Sequence, residues 1–198
     1  FWSTTIPGRF PETDDSGDNN NNHRMYYVTS RNMLEFSETR LFYDPGFNSI
    51  DGTLLKYGDR YLMFLKDETR RPVAKKNIRV STSDDPTGPW SPASEPIYDK
   101  DWAEGPTVIR VGNRWILYFD RYTAHRFGAM ASTDLETWAD ISDQLKFPEG
   151  TRHGSIFKVS RKVLDYLKNP KAQLADRWEY VGIAVEEPDF TVWGTSPI

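Results

Sequence analysis

Two carboxylates in this sequence sit where they could do chemistry together: Asp51, in Ile50-Asp51-Gly52, and Glu104, in Ala103-Glu104-Gly105-Pro106. A pair of acids at the mouth of one channel is suited to cleaving a glycosidic bond. One carboxylic acid protonates the leaving oxygen and a carboxylate activates water from the opposite face, the two lying about 6.5 to 9.5 Å apart in inverting enzymes. The small or rigid neighbours Gly52, Gly105 and Pro106 let the backbone approach a ligand closely. An acid before Gly is also a common turn residue, so either motif alone is a weak signal.

The elements that must position these acids are visible as a repeat. Laying Gly58 on Gly112 stacks Thr53 on Thr107, Leu54 on Val108, Leu55 on Ile109, Arg60 on Arg114 and Phe64 on Tyr118. Each segment reads as a hairpin opened by an acid. Consecutive hairpins of this kind imply an all-β chain of β-propeller type, whose blades direct their first strands at one central channel. A second recurrence supports this reading: Asn77 to Asp85 with Gly88-Pro89-Trp90, and Phe127 to Leu135 with Thr137-Trp138, each give a strand, a polar turn and an aromatic that can pack back on the sheet. Asp84 and Asp134, read as turn residues, lie 50 apart, close to the roughly 40 to 50 residues of a four-stranded blade. Blade ends then fall near 44, 98 and 146, with residues 1–160 forming a partial propeller of about three blades. From Ser160, an N-cap candidate, the pattern Val163, Leu164, Leu167 and Leu174 fits a helical excursion over 161–177, and 178–198 reads as a strand segment that starts a further blade or module. The polar stretch from Pro7 to His23, with Asp14, Asp15 and Asp18, reads as a surface loop.

Composition narrows the function classes. The chain has 198 residues, 37% hydrophobic and 14% aromatic, enough to bury a core. A net charge of −4 without a basic block argues against a nucleic-acid partner, and no apolar run approaches a membrane span. The absence of Cys excludes disulfides and thiolate zinc sites. Phe1 opens inside a strand pattern and Thr191 to Ile198 breaks off as another begins, so the sequence reads as an internal stretch of a longer chain.

The ordered set Ser49-Ile50-Asp51-Gly52, Trp102-Ala103-Glu104-Gly105-Pro106-Thr107 and Arg152-His153-Gly154-Ser155, on successive repeats, resembles the five-bladed propellers of glycoside hydrolase family 43. The resemblance covers residues 1 to about 160. It implies inverting hydrolysis of arabinofuranoside or xyloside linkages in poly- or oligosaccharides, with Glu104 as general acid and Asp51 as the carboxylate that tunes and orients it. It implies a carbohydrate substrate, a secreted or periplasmic location, no required cofactor, and His153 as a channel histidine near a calcium or other cation held through water. In that family the base is an Asp on the first blade. No Asp in residues 1–47 has that context, so the base is expected upstream of Phe1, with Asp189 as an outside candidate. A carbohydrate-binding propeller without turnover is the alternative.

Further residues have two readings each. Trp102, two residues from Glu104, could stack a sugar ring. His125 and Arg126 could reach substrate at the cleft rim, or serve as surface and ion-pair residues. Lys66-Asp67-Glu68 and Phe119-Asp120-Arg121 end equivalent strands, lining the channel mouth or forming a solvated rim.

Overall fold

The computed structural model describes residues 1–6, 23–148, 150–168 and 191–193. The polar loop with Asp14, Asp15 and Asp18, and Leu174, Trp178 and Asp189, lie outside the described residues. Three antiparallel sheets form three propeller blades. The first contains β1 (Trp2–Thr5), β2 (His23–Tyr27) and β3 (Arg40–Tyr43), and the second β4 (Ser49–Tyr57), β5 (Arg60–Asp67) and β6 (Asn77–Ser83). The third contains β7 (Glu104–Val111), β8 (Arg114–Arg121), β9 (Arg126–Ser132) and β10 (Ala139–Asp140). A short helix, α1 (Arg161–Leu167), follows, capped by Ser160, whose side chain accepts from Val163 N–H at 3.3 Å. Strand β11 (Thr191–Trp193) pairs with β1 and completes the first sheet in the order β11-β1-β2-β3.

Alternation along the strands explains how blades stack. In β5, Leu62 and Phe64 point into a core shared with Trp115, Leu117 and Phe119 of β8, while Met63 and Leu65 point the other way, toward Met25, Phe42 and Tyr43 of the first blade. One period-two pattern therefore fills both inter-blade cores. The aromatics that follow the outer strands pack across blades. Trp138 meets Phe64 edge-on at 5.7 Å, and Trp90 meets Phe42 at 5.4 Å.

The hairpin repeat is present at the 54-residue offset. Thr53 pairs with Phe64 and Thr107 with Tyr118, and the tips turn at Gly58 and Gly112, with φ of 61° and 62°. Positive φ there is the conformation glycine adopts without a Cβ clash. The turn at Asp134 is closed by its carboxylate, which accepts from the Glu136 and Thr137 amides. In the other turn Asp85 takes that role, accepting from Thr87 N–H at 2.7 Å. Beyond β6, residues 91–98 run along the sheet without forming a regular strand, donating from Ser91 to the Thr82 carbonyl at 2.8 Å, from Ser94 to Val80 at 2.7 Å and from Ile97 to Ile78 at 2.8 Å.

The core between the second and third blades leaves no room at Gly128, where an added Cβ would come within 2.5 Å of the Phe119 ring and 2.7 Å of Arg121 Cδ. Phe119 is fully buried against Tyr98, so its ring cannot swing aside. Gly128→Ala should therefore destabilise the fold by about 1 to 3 kcal/mol, read as a lower urea midpoint at unchanged m-value; an unchanged midpoint would contradict this packing.

Candidate active site

The site forms where the two inner strands, β4 and β7, are kinked by bulges. Register slips between Ile50 and Thr53 in one blade, and between Glu104 and Thr107 in the other. Asp51 and Gly105 occupy the same place in the repeat, and both have left-handed backbones, with φ of 55° and 58°. The two acids are thus one residue out of step: Glu104 is matched by Ile50, and Asp51 by Gly105. The offset lets them converge, because Asp51 Oδ2 crosses to the next blade and accepts from Gly105 N–H at 3.0 Å, next to Glu104. Thr53 adds a second link, its hydroxyl donating to the Pro106 carbonyl at 2.6 Å.

Glu104 is flanked by three basic side chains. Lys66 Nζ donates to Oε2 at 2.9 Å, His153 Nδ1 lies 3.2 Å from Oε1, and Arg152 Nη2 approaches Oε1 to 3.8 Å. Lys66 also binds Glu68 at 2.6 Å, so one buried ammonium bridges two carboxylates. Burial alone would pull the Lys66 ammonium down, but Glu68 and Glu104 outweigh it and hold it above its ordinary range. Burial pushes the Asp51 carboxyl up, with the Glu104 charge acting in the same direction, against the Gly105 N–H, Lys66 and His153. Asp120, fully buried, accepts from Arg152 Nε at 3.0 Å and from the His153 amide at 3.2 Å.

Lys66, Glu68, Trp102, Glu104 and Tyr122 line a cleft of about 450 Å³. Trp102 is 44% exposed, tilts against Tyr122 at 6.1 Å and has Lys76 Nζ over its ring at 6.0 Å. His125 and Arg126 do not join this group. Both are exposed and line a separate hollow of about 480 Å³ with Phe127 and Phe147.

The model of a family described as a probable glycosyl hydrolase domain, related to family 43, matches residues 1–165. The chain belongs to that glycosyl hydrolase family. No curated protein matches this glycosyl hydrolase domain. Among solved structures it is similar to Zg3597, a family 117 glycoside hydrolase of the marine bacterium Zobellia galactanivorans, at 16% identity, 60% coverage of this chain, 41% of that one and a TM-score of 0.50. It is also similar to a glycosyl hydrolase from Bacteroides ovatus, at 18% identity, with 63% and 41% coverage and a TM-score of 0.48. For a Penicillium chrysogenum α-L-arabinanase complexed with arabinobiose the values are 13% identity, 71% and 49% coverage, and a TM-score of 0.43. The chain spans about two fifths of the length of the first two.

Sequence reasoning placed Asp51, Trp102, Glu104 and His153 in positions that the structure brings within one site. It weighed Lys66, Glu68 and Asp120 only as channel-mouth or rim charges, quoted Arg152 only within the His153 motif, and passed over Tyr122. The strand-exit charges are not a solvated rim: Lys66, Asp67, Glu68 and Asp120 are all buried. The 54-residue offset held the signal, since it lays Lys66 on Asp120 and Glu68 on Tyr122, changing the charge at strand ends where Lys66 pairs with Ile50 and Asp120 with Glu104.

The raised Asp51 carboxyl fixes the sign of a pH effect. Between the ordinary value near 3.8 and its raised value, the folded chain keeps a proton that the unfolded chain has released, so wild-type stability falls as pH rises through that window. Asp51→Asn keeps an oxygen for the Gly105 amide but cannot ionise. In urea melts at a series of pH values, the stability of the variant relative to wild type should rise across the window and level off above it. A relative stability that falls with pH would show that Asp51 is stabilised as the anion instead.

Proposed function

We propose that this domain hydrolyses arabinofuranoside or xyloside-type linkages by single displacement, with Glu104 as the general acid. The observation that carries the reading is Glu104 in the wall of a cleft that the partly exposed Trp102 also lines, within a chain of glycosyl hydrolase family membership. A sugar stacked on Trp102 brings its glycosidic oxygen toward the Glu104 carboxyl. The proton passes to that oxygen as its bond to the anomeric carbon breaks, and water forms the new bond from the far side, losing its proton to a carboxylate outside the described residues. Lys66 contacts one oxygen of Glu104 and His153 lies beside the other, so a substrate seated in the cleft must displace one of them to reach the carboxyl. Asp51 holds the peptide after Glu104 in place through Gly105 and, carrying a neighbouring carboxyl, tunes the acid. His125 and Arg126 are assigned to the outer reach of a longer glycan, and the blades over 1–160 to the catalytic module.

A cation near His153 fits the donors present. Glu104, Asp120 and His153 offer atoms within 4.8 Å of one another, and the buried Asp120 Oδ1 has no hydrogen-bond partner among the described residues. Asp120 and His153 would face a hard cation held through its waters, which would contribute positive charge at the base of the site and leave Glu104 its role as the acid. One observation favours the alternative of a binding propeller without turnover: Lys66 already neutralises Glu104.

Glu104→Gln separates the two. In the longer protein that supplies the base, it should lower kcat on natural linkages by about 10²- to 10⁴-fold while retaining glycan affinity, with a smaller loss on aryl glycosides whose leaving group needs no proton. Near-normal kcat on both substrate types would remove Glu104 from the acid role.

A further inference from the structure

The cleft beside Glu104 holds a local excess of positive charge. Four cationic side chains line it, Lys66, Arg70, Arg71 and Lys76, against two carboxylates, Glu68 and Glu104. Both carboxylates are already engaged. Glu68 pairs with Lys66 at 2.6 Å, with Lys76, and with Arg70 at 3.8 Å, and Glu104 pairs with Lys66. The Arg71 side chain is exposed and has no ion-pair partner among the described residues. Burial, with Lys66 and Arg70 close by, draws the Lys76 ammonium below its ordinary range in spite of Glu68. All this occurs in a chain whose net charge is −4, so the excess belongs to the cleft and not to the surface at large.

A neutral sugar would leave this charge uncompensated. A planar guanidinium such as that of Arg71 suits a carboxylate or sulfate by paired hydrogen bonds, and the aromatic face of Trp102 suits a pyranose or furanose ring. We propose that this cleft binds a sugar unit bearing an anionic group, a uronate carboxylate or a sulfate ester, stacked on Trp102 with its charge on Arg71. The proposal rests on the glycosidase reading and narrows it, placing a charged unit next to the bond that Glu104 would protonate.

Calorimetric titration of the full chain with three probes tests it: tetragalacturonate, a sulfated carrageenan tetrasaccharide and neutral xylotetraose. At least one anionic probe should bind about tenfold more tightly than xylotetraose, and Arg71→Ala should reduce that preference to about twofold or less. Raising salt from about 50 to about 500 mM should weaken the anionic probe selectively. The probe that responds identifies the source of the charge. Xylotetraose binding as tightly as both anions would overturn this inference and leave the glycosidase reading standing, whereas failure of all three to bind would overturn both. A preference that survives Arg71→Ala intact also overturns it, and if that variant does not fold, the comparison of probes on the wild type decides alone.

Discussion

The hydrogen bond from the Gly105 amide to Asp51 fixes the geometry on which the rest of the site depends. It can form only because Asp51 holds a left-handed backbone at a bulge, which turns its side chain out of its own sheet. A non-glycine residue held off its preferred backbone is worth about 1 to 3 kcal/mol of strain, comparable with what a hydrogen bond to a charged acceptor returns. The arrangement therefore adds little to stability and instead determines where the next blade begins. Glu104 precedes the tethered amide, so its carboxyl is placed by a contact made from the neighbouring blade. The Thr residues two positions further along repeat the device: Thr53 binds the Pro106 carbonyl, and Thr107 accepts from Ile156 N–H at 3.4 Å. Each inner strand thus holds the segment that follows it.

Around that tether lies an alternation of charge, from the buried Lys76, Glu68 and Lys66 to the half-buried Glu104. Removing these groups from water is costly, and their mutual attraction compensates only when every partner is present. Such a chain favours one arrangement of the strand ends over others. It also means that a ligand entering the cleft must exchange ion pairs, since the carboxylates there are already bound.

The fold was legible in the sequence because hairpins repeat locally. Gly58 and Gly112 mark the tips, and the alternation from Arg60 to Asp67 already specifies two buried faces. Asp51 and Glu104 were legible as acids beside glycine. Their one-residue offset was not, because a bulge changes register without any composition signal beyond the glycines themselves. The ion network escaped for a related reason. Lys, Asp and Glu at a strand end ordinarily meet solvent, and only the approach of a second blade, set by contacts distant in sequence, buries Lys66 and Asp120. His125 follows the opposite course: its place in the turn after β8 suggested the cleft, yet the backbone turns it toward the hollow under Phe147.

The stretch that runs beside β6 has a consequence for the behaviour of the molecule in solution. It uses the hydrogen-bonding groups of β6 from one side while being unable to present a regular ladder of its own, since Pro92 and Pro96 have no N–H to offer. A second chain drifting against this flank finds its template already taken and the outer surface unsuited to extension. Among the described residues, the flank of the second blade is thus a poor template for a further strand, and the residues that make it so have no part in the chemistry.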